Sequence, residues 1–229
     1  MIHFLLLPLL LSMGVDAMAA SETSVHPEIT TMVEECRSDF ESIPEERRAD
    51  LELIADYVRE HVDANDDARL TFICTHNSRR SHMAQIWAQT AATVYGVDGV
   101  KTYSGGTEAT AFNPRAVQSM PRAGFRIEAT GPDDNPRYQV RMGPGQPPVE
   151  AWSKVYDSEE NPQEDFAAVM VCSHADTNCP FVPGATLRIA IPYVDPKEAD
   201  GTAQEAATYD ARNRQIATEM LYVFSRVRS

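Results

Sequence analysis

Cys74, five further residues and Arg80 lie between an apolar run, Leu70-Thr71-Phe72-Ile73, and a segment from Ser81 to Val94 with helical periodicity. The run reads as a buried strand. The segment carries Met83, Ile86, Trp87 and Val94 on one face, as an amphipathic helix does. A strand-to-helix turn of this length points successive backbone N–H groups inward, above the positive end of the helix dipole. That field favours a tetrahedral dianion, and it favours a thiolate at Cys74, the reactive form of cysteine. Thr75, His76, Asn77, Ser78, Arg79, Arg80 and Ser81 are therefore the candidate oxyanion-binding residues. Arg80 can grip two oxygens with its planar fork. Ser81 can donate a hydrogen bond to the sulfur, and Asn77 tolerates left-handed backbone. His82 is expected as a solvated side chain. A cysteine-x5-arginine spacing is weak alone. Here the strand before it and the helix after it carry the reading against a merely structural cysteine.

Further strands are predicted at Val100–Ser104, Ala167–Val171 and Leu187–Ile191, with a last helix from about Gln204 to Val227. Strands alternating with helices predict an α/β fold: a doubly wound four-stranded parallel sheet with helices on both faces. Ligands of such sheets sit outside the carboxyl ends of the strands, where Cys74, Ser104, Cys172 and Pro192 fall. Tyr103-Ser104-Gly105-Gly106-Thr107-Glu108 and Asn113-Pro114 read as supports of the loop, with Pro114 starting a short helix that Gly124 closes. The Gly- and Pro-rich stretch from Thr130 to Pro148 reads as a long loop or insertion.

Upstream, Val33, Cys36, Phe40 and Ile43, then Leu51, Ile54, Ala55, Val58 and Val62, recur at helical spacing. Ser42 with Glu45 has the form of a capping box, with Pro44 early in the second helix. The expected division is a leader over residues 1–26, a helical extension over 27–67 and the α/β domain over 68–229. The leader has an apolar run, Phe4 to Leu11, and a small-residue site, Ala17-Met18-Ala19, but no Lys or Arg in Met1-Ile2-His3. The run from Phe4 to Leu11 is too short for a stable membrane span. The net charge of -14 argues against nucleic acid as a partner.

Val171-Cys172-Ser173-His174-Ala175-Asp176-Thr177-Asn178-Cys179-Pro180 follows a buried strand. If the segment is helical, the two cysteines lie about 10 Å apart along the axis. A disulfide needs Cα atoms within roughly 7 Å, so the pair bonds only if the segment unwinds or loops. Two alternatives stay open: a pair of unreactive core cysteines, or a zinc site made by Cys74, His76, Cys172 and His174. Asp195-Pro196 follows the fourth strand. An Asp beside an oxyanion loop can protonate a departing oxygen.

These three elements, in this order, resemble the low-molecular-weight protein-tyrosine phosphatase superfamily, most closely its thioredoxin-coupled arsenate reductase branch. The resemblance covers roughly Leu70 to Val227. It implies that Cys74 attacks the oxyanion, Arg80 binds it and Asp195 is the general acid. It also implies that Cys172 and Cys179 relay a disulfide to thioredoxin, with no tightly bound cofactor and no metal. The implied reaction is reduction of arsenate to arsenite. Two alternatives accompany it: a phosphatase that hydrolyses a phosphocysteine on Cys74, and a non-enzymatic oxyanion or redox sensor. The tyrosine pair that often follows Asp-Pro in tyrosine phosphatases is replaced here by Lys197-Glu198. A thioredoxin-driven relay needs a reducing supply, so a cytoplasmic monomer is expected. A true signal peptide would place the chain in the periplasm or outside the cell.

Overall fold

The computed structural model describes residues 25–131, 134–179 and 181–228. The leader up to residue 24 lies outside the described residues, as does Pro180. Four parallel strands form the central sheet in the order β2-β1-β6-β7: β1 is Ala68–Cys74, β2 Val100–Gly106, β6 Phe166–Met170 and β7 Ala185–Ala190. Leu70, Phe72, Ile73 and every residue of β6 are buried. Consecutive buried residues on a strand mean that both faces of the sheet centre are covered, which is why these runs read as apolar with Thr71 the one exception. Helix α3 (Arg80–Val94) packs on β1 and β2 and against the last helix, α6 (Glu205–Val227). The α3–α6 contact is pinned by a buried polar bond, with Trp87 Nε1 donating to Asn213 Oδ1 at 2.6 Å.

The chain passes from β1 to β2 on one side and then to β6 on the other. Register pairs Cys74 with Gly106 and Ile73 with Met170. Cys74 therefore ends the strand at which the sheet changes direction, the usual ligand crevice of an open α/β sheet.

The N-terminal helices are α1, Pro27–Ser38, and α2, Glu45–Asp63. They bury Ile29, Val33 and Cys36, and Leu51, Ile54, Ala55, Tyr57 and Val58. Both pack on α6, and α2 also reaches β7 and β1. The capping box does not form. Ser42 ends a 3-10 turn, Phe40–Ser42, and donates to Asp39 O at 2.6 Å, while Pro44 is the residue that caps α2. With Pro44 in that place, Ser42 stands two residues too far back to reach the first free amides.

The stretch from Thr130 to Pro148 is not a long loop. It belongs to a second, antiparallel sheet, β3-β4-β5, made of Arg126–Thr130, Arg137–Arg141 and Val149–Ala151. Pairing aligns Ile127 with Val140 and Val140 with Val149, giving one narrow apolar row. Strands of five, five and three residues, mostly exposed, leave too short an alternation to read against the surrounding Gly and Pro. Helix α4, Pro114–Arg122, begins as its sequence indicates, with Asn113 Oδ1 accepting from Arg115 N at 3.0 Å.

Candidate active site

The loop from Cys74 to Arg80 is inverted by its neighbours. Its carbonyls are turned outward: Cys74 O accepts from Thr107 N, Thr75 O from Glu108 N, and Ser78 O from Asn113 N. His76 O accepts from the hydroxyls of Ser153 and Thr110, at 3.0 and 3.1 Å. Among the described residues, no N–H from His76 to Arg80 is donated to a backbone carbonyl. Those amides are left for an anion, at the N-terminus of a helix of 15 residues. The turn needs Asn77 at φ 43° and an unobstructed Gly106, where a Cβ would fall 2.7 Å from Asn77 N and 2.2 Å from Glu108 O. Asn77 is also a strut. Its Oδ1 accepts from Lys154 N at 2.9 Å and its Nδ2 donates to Ser81 Oγ at 2.9 Å. Ser81 Oγ lies 3.1 Å from Cys74 Sγ. The thiol is 3% exposed, so this hydroxyl and the loop amides form its immediate polar surroundings.

Arg80 donates from Nη1 to Tyr193 O at 2.8 Å and from Nη2 to Asp195 Oδ2 at 2.7 Å. Its Nε is buried and has no partner, a donor left over for an incoming oxyanion. Asp195 in turn caps a 3-10 turn, Pro196–Ala199, accepting from Lys197 N at 3.1 Å. Arg79 is turned to the same segment: Nε donates to Tyr209 OH at 2.8 Å, and Nη2 lies 3.5 Å from Asp200 Oδ2. Burial pushes the Tyr209 hydroxyl up to about 12, so it stays a neutral donor to Asp200 at 2.8 Å. His76 points outward, 3.7 Å from Glu108.

His82 is the correction within this region. It is fully buried beneath the loop, 3.1 Å from Ser104 Oγ and stacked at 4.2 Å on Phe112. Nothing local in the sequence shows that β2 and the segment after it close over the first turn of α3. Burial, then the nearby Lys154 ammonium, lowers its pKa to about 3. The unfolded chain takes up this proton near 6.5, and the folded chain holds the ring neutral down to about 3. Its contribution to stability is complete above pH 6.5 and is lost as pH falls towards 3, with a slope of up to about 1.4 kcal/mol per pH unit. Urea unfolding between pH 4 and 7 should show that slope in the wild type and a shallower one in His82→Gln.

Cys172 sits two residues beyond β6 and caps α5, Ser173–Asn178, accepting from Ala175 N at 3.3 Å. Thr75 Oγ1 is 3.5 Å from Cys172 Sγ and 3.2 Å from His174 Nδ1. Cys179 is the residue after α5, half-buried, its thiol pushed up by burial. The two cysteines are reduced and stand at opposite ends of a helix. Arg188 on β7 clasps the far end, donating to Cys179 O at 3.0 Å and to Asp176 Oδ1 at 2.6 Å. Among the described residues no group of three or more His, Cys, Asp or Glu is arranged to hold a metal ion. Thr75, Arg80, Cys172, His174, Tyr193 and Asp195 line one cleft of about 550 Å³.

A buried cluster that sequence inspection does not reveal holds the Asp195 segment from behind. Arg47 of α2 is 2.8 Å from Glu219 Oε2 and donates to Ile191 O at 3.1 Å. Tyr193 OH donates to the same Glu219 oxygen at 2.8 Å. Arg47→Met would strand Glu219, 4% exposed, without its cation. A loss of about 3–5 kcal/mol is expected in urea unfolding, largely recovered by adding Glu219→Met.

Fold and site together define a cysteine-based protein that handles tetrahedral oxyanions on a parallel α/β sheet. The family profile described as low molecular weight phosphotyrosine protein phosphatase matches residues 69–139. An arsenate reductase of Bacillus subtilis is 32% identical over 154 residues, covering 67% of this chain and 92% of that protein. An arsenate reductase of Halalkalibacterium halodurans is 32% identical over 134 residues, covering 58% and 78%. A solved arsenate reductase from Archaeoglobus fulgidus overlays with a TM-score of 0.45 at 16% identity, covering 68% of this chain and 98% of that one. The chain belongs to the low-molecular-weight phosphotyrosine protein phosphatase family, and arsenate reductases are among its relatives.

Proposed function

We propose that this protein reduces arsenate to arsenite by a three-cysteine relay. The observation that carries the reading is the placement of a second thiol at the cradle, with Thr75 reaching Cys172 Sγ at 3.5 Å and Cys179 standing at the far end of the same short helix. In this scheme the Cys74 thiolate attacks arsenic, held by the loop amides and Arg80, while Asp195 protonates the departing oxygen. The Cys172 thiolate then attacks Cys74 Sγ. The S–As bond breaks, its electron pair passes to arsenic, and As(V) leaves as As(III) arsenite. Cys179 attacks Cys172, frees Cys74 and leaves a Cys172–Cys179 disulfide. A thioredoxin-type dithiol reduces that disulfide, each step being thiol exchange.

The cleft wall favours a small inorganic oxyanion. Glu108, Lys197 and Glu198 make most of it charged and His76 and His174 add polar rings; Val194 is its exposed apolar residue, and Tyr193, the aromatic residue on it, is 3% exposed. A phosphatase would need only Cys74, Arg80 and Asp195, with water hydrolysing the phosphocysteine. The two readings separate in one assay: arsenate turnover with thioredoxin beside hydrolysis of an aryl phosphate, for wild type and Cys179→Ser. Arsenate turnover that Cys179→Ser abolishes supports the relay. Aryl phosphate cleavage that is indifferent to Cys179→Ser, with no arsenate turnover, makes it a phosphatase. The reading also places the protein where thiols are kept reduced, as a cytoplasmic monomer. Among the described residues no helix is long and apolar enough to cross a membrane.

A further inference from the structure

Cys172 has to lose a proton before it can attack, and although it borders the cleft it is only 1% exposed, which leaves little direct contact with bulk water. The Thr75 hydroxyl bridges Cys172 Sγ, at 3.5 Å, and His174 Nδ1, at 3.2 Å. Thr75 is 8% exposed, and His174 is exposed on the cleft. The three groups form a line from a buried thiol to solvent. We propose that His174 is the terminal proton acceptor for Cys172, acting through the Thr75 hydroxyl; the proposal rests on the relay reading above.

The hydrogen-bond inventory of one hydroxyl explains why the line works. A threonine has one proton to donate and lone pairs to accept with. In the starting arrangement that the proposal requires, Cys172 S–H donates to Thr75 Oγ1, and Thr75 O–H donates to a lone pair on His174 Nδ1, the ring carrying its proton on Nε2. After transfer, Thr75 O–H donates to the Cys172 thiolate and the imidazolium Nδ1–H donates to Thr75 Oγ1. Two protons have each moved along one hydrogen bond. The S–H and the old O–H are broken, a new O–H and an N–H are made, and no heavy atom has moved. The thiolate formed also accepts from Ala175 N at the start of α5, which favours the charge. Imidazole suits the terminal role because its basicity matches proton transfer near neutral pH. The imidazolium then releases its proton to water from the exposed side.

The test uses the full chain with Cys36→Ser, Cys74→Ser and Cys179→Ser, so that Cys172 is the only thiol. Thiolate absorbance at 240 nm is followed from pH 4 to 9. The other charged groups on this cleft, His76, Arg80, Glu108, Asp195, Lys197 and Glu198, are left unchanged in every variant. The Cys172 midpoint is expected to rise by about one pH unit or more in His174→Gln and in Thr75→Val, and to stay put in Thr75→Ser. Gln keeps an acceptor beside Thr75 but cannot hold a proton, and an exposed substitution at His174 leaves the fold intact. A midpoint in His174→Gln equal to or below that of the parent overturns the proposal. The titration needs no arsenate, so it reads the proton line even where arsenate turnover fails. Failure of turnover would instead count against the reductase reading. In the Cys179→Ser chain with arsenate, His174→Gln should also slow formation of the Cys74–Cys172 disulfide about tenfold at pH 7.

Discussion

Cys74→Ser should remove turnover of arsenate and of any phosphorylated substrate, by about 10⁴-fold or more in kcat. The hydroxyl is close in shape, so folding and anion binding should survive, and equilibrium dialysis against phosphate should still show a site. What is lost is the nucleophile. A serine hydroxyl is a far weaker acid and a poorer nucleophile than a thiol. Arg80→Lys should be milder, about 10²–10³-fold, and should fall on kcat as well as KM. A lysine can supply the charge, but its three donors radiate from one nitrogen and cannot span Tyr193 O, Asp195 Oδ2 and the place of the free Nε, as the planar guanidinium does. The expected signature is partial loss of anion binding with a larger loss of rate, because Asp195 would no longer be held against the cradle. Turnover in Cys74→Ser within tenfold of wild type would remove the thiolate mechanism altogether.

The second large effect concerns α5. Joining Cys172 to Cys179 requires Cα atoms within roughly 7 Å, but a helical segment of this length holds them about 10 Å apart. Oxidation should therefore unwind Ser173–Asn178. Amide hydrogen exchange should show protection there in the reduced protein and its loss in the oxidised one, with α6 unchanged. The unwinding is cheap: a six-residue helix is far below the length that is stable alone, and Arg188 is the main clasp on its far end. Cys179→Ser should then stop after one turnover with a Cys74–Cys172 disulfide, identified by peptide mapping under acid quench. Cys172→Ser should give no arsenite at all. Full protection of α5 in a demonstrably oxidised protein would mean that the two thiols do not pair with each other.

The alternation of strand and helix was readable because each element announces itself over a few residues. The run Ala167–Val171 is apolar throughout and Leu70–Ile73 is apolar but for the buried Thr71, since both their faces are covered, and the stripes of α2 and α3 recur at helical spacing. The β3-β4-β5 sheet was not readable, because its three short strands share one apolar row that exists only after pairing. The same holds for the failed capping box at Ser42. The local signature was present, but Pro44 fixed the helix start two residues further on.

By itself the chain order determined a thiolate loop at a strand end, two more cysteines after a later strand, and an Asp-Pro beyond the last strand, because strand ends of a parallel sheet gather at one edge. Only the tertiary structure decided what surrounds them. It buried His82 under the loop, set Arg47 of an upstream helix against the carbonyls before Asp195, and laid Thr75 between Cys172 and His174. Those contacts join residues far apart in the chain, so no local period or spacing encodes them. They exist because the packing of α2, α6 and the sheet brings their side chains within reach.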